Sequence, residues 1–377
     1  MNWLNFSARS IRLMVLMFAL AISGAADAKK TSRKPGKARK AHTVRNDPGE
    51  FANFAQWKDV AVFMDEMVSR HGFNRVELEA ILRRTRYVAS AVQLVKPAPP
   101  GRPKNWRAYR ARFVEPIRIS GGVAFWDRHA EALARAEAQH GVPAEIIVAI
   151  VGVETIYGRN VGDFRVMDAI TTLAFAYPET PNKAARTDYF RGELANTLLF
   201  ARESGIDPFS LNGSYAGAIG WAQFMPGSIR KFAVDFDHDG KIDLRNSPVD
   251  AIGSIANFLV QHGWHRDEEI VFPASIAKSS GEDEGMAWKA FLGQELTAKY
   301  RAEELKSAGV IAGMELPLTM QFGLIDLQNG FEPAEYWLGA ANFFAITQYN
   351  RSFFYAMSVV DLARAIRTAR GRLSQAQ

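Results

Sequence analysis

The chain has 377 residues, 48% of them hydrophobic, with 8 Trp, 25 Phe and no Cys. That is enough apolar material for a large core, and the lack of cysteine excludes disulfides, thiolate catalysis and Cys-ligated metal centres. The net charge of +6 sits in one place: residues 29–46 carry +8 and residues 1–28 carry +1, so residues 47–377 are net −3 and a nucleic-acid-binding body is not expected.

Residues 1–28 read as an export signal peptide. Arg9 and Arg12 form a positive start, Leu13 to Ala21 is an apolar run short for a bilayer, and Ala26-Asp27-Ala28 is a small-residue cleavage site. A periplasmic protein is therefore predicted, with retention as an anchor the alternative; without cysteine, a lipoprotein anchor is not expected. Residues 29–48 form a basic linker containing Lys29, Lys30, Arg33, Lys34, Lys37, Arg39, Lys40 and Arg45. Self-repulsion and scarce apolar residues predict disorder there, with contact to an anionic surface the alternative to plain solvation.

From Asn46 onward the spacing is mainly helical. Gln56 to His71 puts Val60, Phe63, Met64 and Met67 on one face and stops at Gly72. Asn74 and Glu77 form a capping box for a helix carrying Leu78, Ile81 and Leu82. Prolines 97, 99, 100 and 103 make Lys96 to Lys104 a surface loop. Further helices are predicted over Phe125 to His140, Pro143 to Tyr157, Tyr189 to Ser204, Val249 to His262 and Ser352 to Arg370, each followed by glycine. Ile270 to Phe272 and Leu316 to Phe322 are candidate strands in a less periodic stretch. No internal repeat argues for a solenoid.

The chemistry centres on the helix that ends at Glu154. Nearly everything between Glu145 and Glu154 is apolar, so a carboxyl group at its end meets Ile147, Ile150 and Val151 and the negative end of the helix dipole. Both effects keep an acid protonated near neutral pH, ready to protonate a leaving oxygen. On this segment alone, a solvated Glu154 or one paired with Arg159 or Arg165 is the competing reading. Gly213 to Pro226 adds a glycine-rich, aromatic turn in which Ser214 and Gln223 offer neutral hydrogen-bonding groups, the pattern that binds sugars.

A second signal is Asp235-Phe-Asp237-His-Asp239-Gly-Lys241-Ile-Asp243, which fills EF-hand positions 1, 3, 5 and 9 with carboxylates, 6 with glycine and 7 with the Lys241 carbonyl. Position 12 is Asn246 in place of glutamate, so structural Ca2+ at this 235–246 loop is expected to bind weakly or to borrow a ligand from elsewhere.

Together Val151-Gly-Val-Glu154-Thr with Gly158, Met167 to Phe175, Gly213 to Gly220 with Gln223 to Pro226, and Ile346 to Asn350 resemble the family of membrane-bound lytic murein transglycosylase B and its soluble fragment, glycoside hydrolase family 103. The resemblance runs from about Phe51 to Arg370. It implies a mainly α (α+β) catalytic domain over residues 49–377, with a lysozyme-like core, an additional helical region and a small α+β region at about 265–340. It further implies cleavage of the β-1,4 bond between N-acetylmuramic acid and N-acetylglucosamine in peptidoglycan without water and without a catalytic cofactor.

By position, the resemblance makes Glu154 the single acid and base. It places Ser214, Asn350 and Gln223 in the glycan cleft, with Tyr109, Tyr189, Tyr349 and Tyr355 as its aromatic or hydroxyl groups. Arg186 corresponds to a residue that meets the peptide stem, with Ala185 where a second basic residue is usual. Phe258 stands where tyrosine is common, which removes one hydroxyl. Asp250 is suggested as the remaining calcium ligand. The deficit of a second acid argues for a 1,6-anhydro product over the two-carboxylate routes of hydrolases. A hydrolytic muramidase, a noncatalytic peptidoglycan-binding protein and a calcium adaptor are the other readings.

Overall fold

The computed structural model describes residues 54–97, 101, 103–277, 284–292 and 296–375. The expected signal peptide and basic linker lie outside the described residues. Among those described, no helix is long and apolar enough to cross a membrane.

Apolar spacing and caps set the helices. Lys58–His71 buries Val60, Phe63, Met64 and Met67 and stops at Gly72, whose φ of 63° closes the turn onto Met67 and Val68. Asn74 accepts from the Val76 and Glu77 amides to start Arg75–Arg84. The stretch expected as one helix over Phe125 to His140 is two, Pro116–Arg128 and Ala130–His140, which meet at His129. Pro116 at the first turn and the Glu115 carboxylate, accepting from Ile117 and Arg118, start the earlier helix before the apolar periodicity becomes visible. The helix expected from Tyr189 begins six residues earlier, as Lys183–Glu203, and the last helix, Phe353–Gln375, runs through Gly371.

At the centre is Ala144–Thr155, in which Ile146 to Val151 are all 2% exposed or less. It is apolar on every side because it is packed on every side. The long helix Phe353–Gln375, Pro116–Arg128, Ala130–His140 and Pro248–Gln261 surround it. Beside it, Val166–Phe175 packs on Lys183–Glu203, and the two-stranded pairing of Phe164–Arg165 with Asn212–Gly213 ties the start of that layer to the glycine-rich segment.

The less periodic stretch folds as a four-stranded antiparallel sheet in the order Val310–Ala312, Val271–Ile276, Glu332–Gly339, Gly323–Asn329. Its own small core gathers Phe272, Leu305, Val310, Phe322, Leu324 and Leu338. Leu316 to Phe322, expected as a strand, is the turn that leads into Gly323–Asn329, and Pro317 allows no ladder continuity there.

Candidate active site

Glu154 stands in the last turn of the central helix, and the chain leaves that helix in an unusual way. Ile156, Tyr157 and Gly158 all have positive φ, at 51°, 55° and 79°. Left-handed backbone is costly for a β-branched residue, so packing must hold it. The Tyr157 ring fills a slot floored by Gly121, Gly122 and Gly152, where any Cβ would collide with it, and its hydroxyl donates to the Arg118 carbonyl at 2.8 Å. Trp221 covers Gly158 and stacks toward Phe125. Thr155 accepts from the Gly158 amide, and its hydroxyl lies within bonding distance of the Val151 and Trp221 carbonyls. The turn that presents Glu154 is thereby clamped from both sides. Tyr157 and Trp221 fall in the gaps between the quoted motif residues, and their part in this clamp has no sequence signal beyond proximity.

Glu154 keeps some solvent exposure, as a group that meets a substrate must, but protein packed round its carboxyl strips the solvation that a carboxylate needs. Burial pushes its pKa from 4.5 up to about 7, opposed by a hydrogen bond from the Tyr355 hydroxyl to Oε1 at 2.5 Å. Three phenols feel its charge. Burial and that charge hold Tyr349 and Tyr355 well above their usual range, and Tyr109, raised by burial to about 12, is eased by Arg112. Tyr349 stacks on Tyr355 at 6.4 Å between ring centres, while its hydroxyl donates to the Ala222 carbonyl. All three therefore stay neutral donors or acceptors at any working pH. Among the described residues, no second acid figures among the causes of the Glu154 shift.

The other predicted residues fall into distinct settings. The Ser214 hydroxyl accepts from the Ala218 and Ala216 amides, which folds the glycine-rich turn and leaves its proton to give. Gln223, at φ 49°, donates both ways from Nε2, to the Val161 and Gly220 carbonyls, so its side-chain oxygen is the group left to face a ligand. Asn350 closes the helix Ala341–Tyr349 and its buried Oδ1 has no partner. Phe258 is 5% exposed, packed among Phe224, Phe232, Tyr349 and His262. It supports Tyr349 from below.

Arg186 and Tyr189 form a second group with Tyr177 and Tyr215. The Arg186 guanidinium lowers the phenol pKa of all three tyrosines against the rise caused by burial, and its buried Nε and Nη1 find no acceptor. A buried charged donor without a partner is expensive, which marks the spot as one that awaits an acceptor from a ligand. A cavity of about 660 Å3 is lined by His265, Glu268, Arg301, Leu318 and Gln321, and none of the groups around Glu154 lines it.

In the acidic loop, oxygens of Asp235, Asp237 and Asp250 all come within 4.8 Å of one another. Asp250 is 1% exposed and accepts from the Phe236, Asp237 and Asp243 amides, so it braces the loop from the helix below. Burial, together with the Asp237 charge, raises the Asp250 carboxyl above its usual value, a repulsion that a cation held between the two carboxylates would relieve. Asp239 and Asp243, outside that trio, accept from the Lys241 amide and from the Arg245 and Asn246 amides respectively, as Asp235 does from the Asp239 and Gly240 amides. The loop reaches the cleft through Leu244 and Arg245, whose carbonyls accept from the Trp221 amide and indole.

Residues 53–364 match the family model described as the transglycosylase SLT domain. Over 338 residues the chain is 40% identical to membrane-bound lytic murein transglycosylase B of Escherichia coli (strain K12), covering 87% of each. Catenated lytic transglycosylase SltB1 from Pseudomonas aeruginosa superimposes with a TM-score of 0.76 at 43% identity, over 84% of this chain and 99% of that one. The Escherichia coli lytic transglycosylase Slt35 in complex with calcium gives 0.72 at 40% identity, over 84% and 95%. SltB3 from Pseudomonas aeruginosa in complex with NAG-anhNAM-pentapeptide gives 0.67 at 28% identity, over 83% and 79%.

Proposed function

Because the chain belongs to the transglycosylase SLT domain family and is a peptidoglycan lytic transglycosylase, we propose that Glu154 alone carries its acid and base chemistry. The observation that carries this is a carboxyl held at about 7 among three neutral phenols, with no second acid acting on it among the described residues. Near neutral pH it starts protonated and gives that proton to the glycosidic oxygen between N-acetylmuramic acid and N-acetylglucosamine. The bond to C1 breaks, and the neighbouring N-acetyl oxygen eases the positive charge on the sugar. Glu154, now ionised and steadied by Tyr355, takes the proton of the C6 hydroxyl as that oxygen closes on C1. The product is a 1,6-anhydromuramic end, and the attacking hydroxyl outcompetes water because it is tethered to the reacting sugar. The anhydro ligand held by SltB3 supports this route.

The free side-chain oxygens of Gln223 and Asn350 and the Ser214 hydroxyl fit sugar hydroxyl and amide groups. Arg186 fits an acid on the peptide stem, since its two orphaned donors call for an anionic acceptor. The same reading places a structural calcium ion between Asp235, Asp237 and Asp250, in line with the calcium complex of Slt35. It also places the enzyme at the murein, exported by residues 1–28. Digestion of purified sacculi followed by mass spectrometry tests the mechanism: anhydro muropeptides are expected with wild type and none with Glu154→Gln. Reducing ends with wild type would make the protein a muramidase.

A further inference from the structure

Tyr109, one of the three phenols beside Glu154, rides on a helix of five residues, Trp106–Arg110. A helix that short does not hold itself together in water. Its own cap, Asn105, accepts only from the Ala108 amide at 2.8 Å. The Arg107 amide is taken by Asn329 Oδ1 at 3.0 Å, a residue 222 positions away on the four-stranded sheet. Asn329 is 2% exposed, and its amide cannot flip without loss, because Nδ2 donates to the Pro333 carbonyl at 3.3 Å while Oδ1 must face an N–H group. Backbone joins the same two segments: Asn105 bridges Asn329, and the Gly330 amide donates to the Lys104 carbonyl at 2.7 Å. From this clamp the contacts run inward. Trp106, 1% exposed, meets Phe354 edge-on at 5.4 Å, Tyr109 meets the same ring, and the next residue is Tyr355, which holds Glu154.

We propose that Asn329 is a positioning residue: as a cap supplied by the sheet, it fixes the Tyr109 helix against the catalytic carboxyl and so sets one wall of the glycan cleft. The inference rests on the glycan-cleaving reading of that cleft and gives the α+β region a part in substrate binding. Loss of a helix cap predicts that Asn329→Ala raises KM for soluble uncross-linked glycan fragments about fivefold while kcat stays near wild type. Asn329→Asp is expected to recover only part of this loss, since one carboxylate oxygen still accepts from the Arg107 amide while the other faces the Pro333 carbonyl and the Glu335 carboxylate where Nδ2 had donated. A purely structural role would instead reduce the active fraction, lowering kcat at unchanged KM. The second arm needs no turnover: calorimetric titration of an N-acetylglucosamine oligomer into Glu154→Gln, with and without Asn329→Ala, should show the same fivefold weakening. An unchanged Kd, or a loss confined to kcat, overturns the proposal, whereas a wild type that fails to cleave would count against the function reading alone.

Discussion

Glu154→Gln removes the one ionisation that the fold opposes in the last turn of its central helix, and the gain is calculable. In the folded protein the carboxyl titrates near 7, against an ordinary value of 4.5. At about 1.4 kcal/mol per unit, ionised Glu154 costs roughly 3 kcal/mol of stability. The sign follows from which state holds the proton more tightly. The folded state does, so the cost is absent below the unfolded value, grows between 4.5 and about 7, and is complete above. Glutamine is neutral throughout and still accepts from Tyr355. Urea unfolding of both proteins should give nearly equal stabilities around pH 4 and a gap of about 2–3 kcal/mol favouring Glu154→Gln around pH 8. Glu193, raised by burial to about 7 where it accepts from the Gly227 amide, titrates in both proteins and drops out of the difference. A gap that does not change with pH, or one favouring wild type at pH 8, would refute the assignment of a costly carboxylate.

Tyr355→Phe deletes the hydrogen bond that favours ionised Glu154, so the alkaline limb of the pH–rate profile should move up by about one unit, and a downward or absent shift would argue against proton donation by this group. Calcium titrated into wild type should raise the melting temperature and give a calorimetric isotherm, while Asp237→Ala should give neither; identical titrations would remove the site. Arg186→Ala should weaken binding of fragments that carry a peptide stem by about tenfold or more, and leave bare glycan oligomers unaffected.

Much of the site could be read because its chemistry is written in neighbouring residues. An acid at the end of Ile147 to Val153 announces its own desolvation, and the spacing from Asp235 to Asp243 announces a cation loop. Glycines followed local rules, as at Gly72 and Gly141, whose φ values of 63° and 68° end their helices as expected. What was hidden depends on distance along the chain. Val166–Phe175 is buried nearly all round, so no polar face revealed its period, and no proline or glycine marks the break at His129. The strand after Phe322 opens with Gly323, Leu324 and Ile325 all buried, so no period-two alternation marked its start. Residues such as Asn329 and Tyr157 act through partners dozens to hundreds of positions away, and no local pattern names those partners.

The left-handed run at Ile156 and Tyr157 bears on how such an enzyme can be improved. Two side chains held at positive φ carry a penalty on the order of 1–2 kcal/mol each. Directed evolution for heat resistance would therefore be drawn to asparagine or glycine at Ile156, whereas Tyr157 is held by ring packing and a hydrogen bond that a smaller residue would lose. The same relaxation would loosen the bend that aims the carboxyl, so thermal robustness and turnover pull this corner of the sequence in opposite directions.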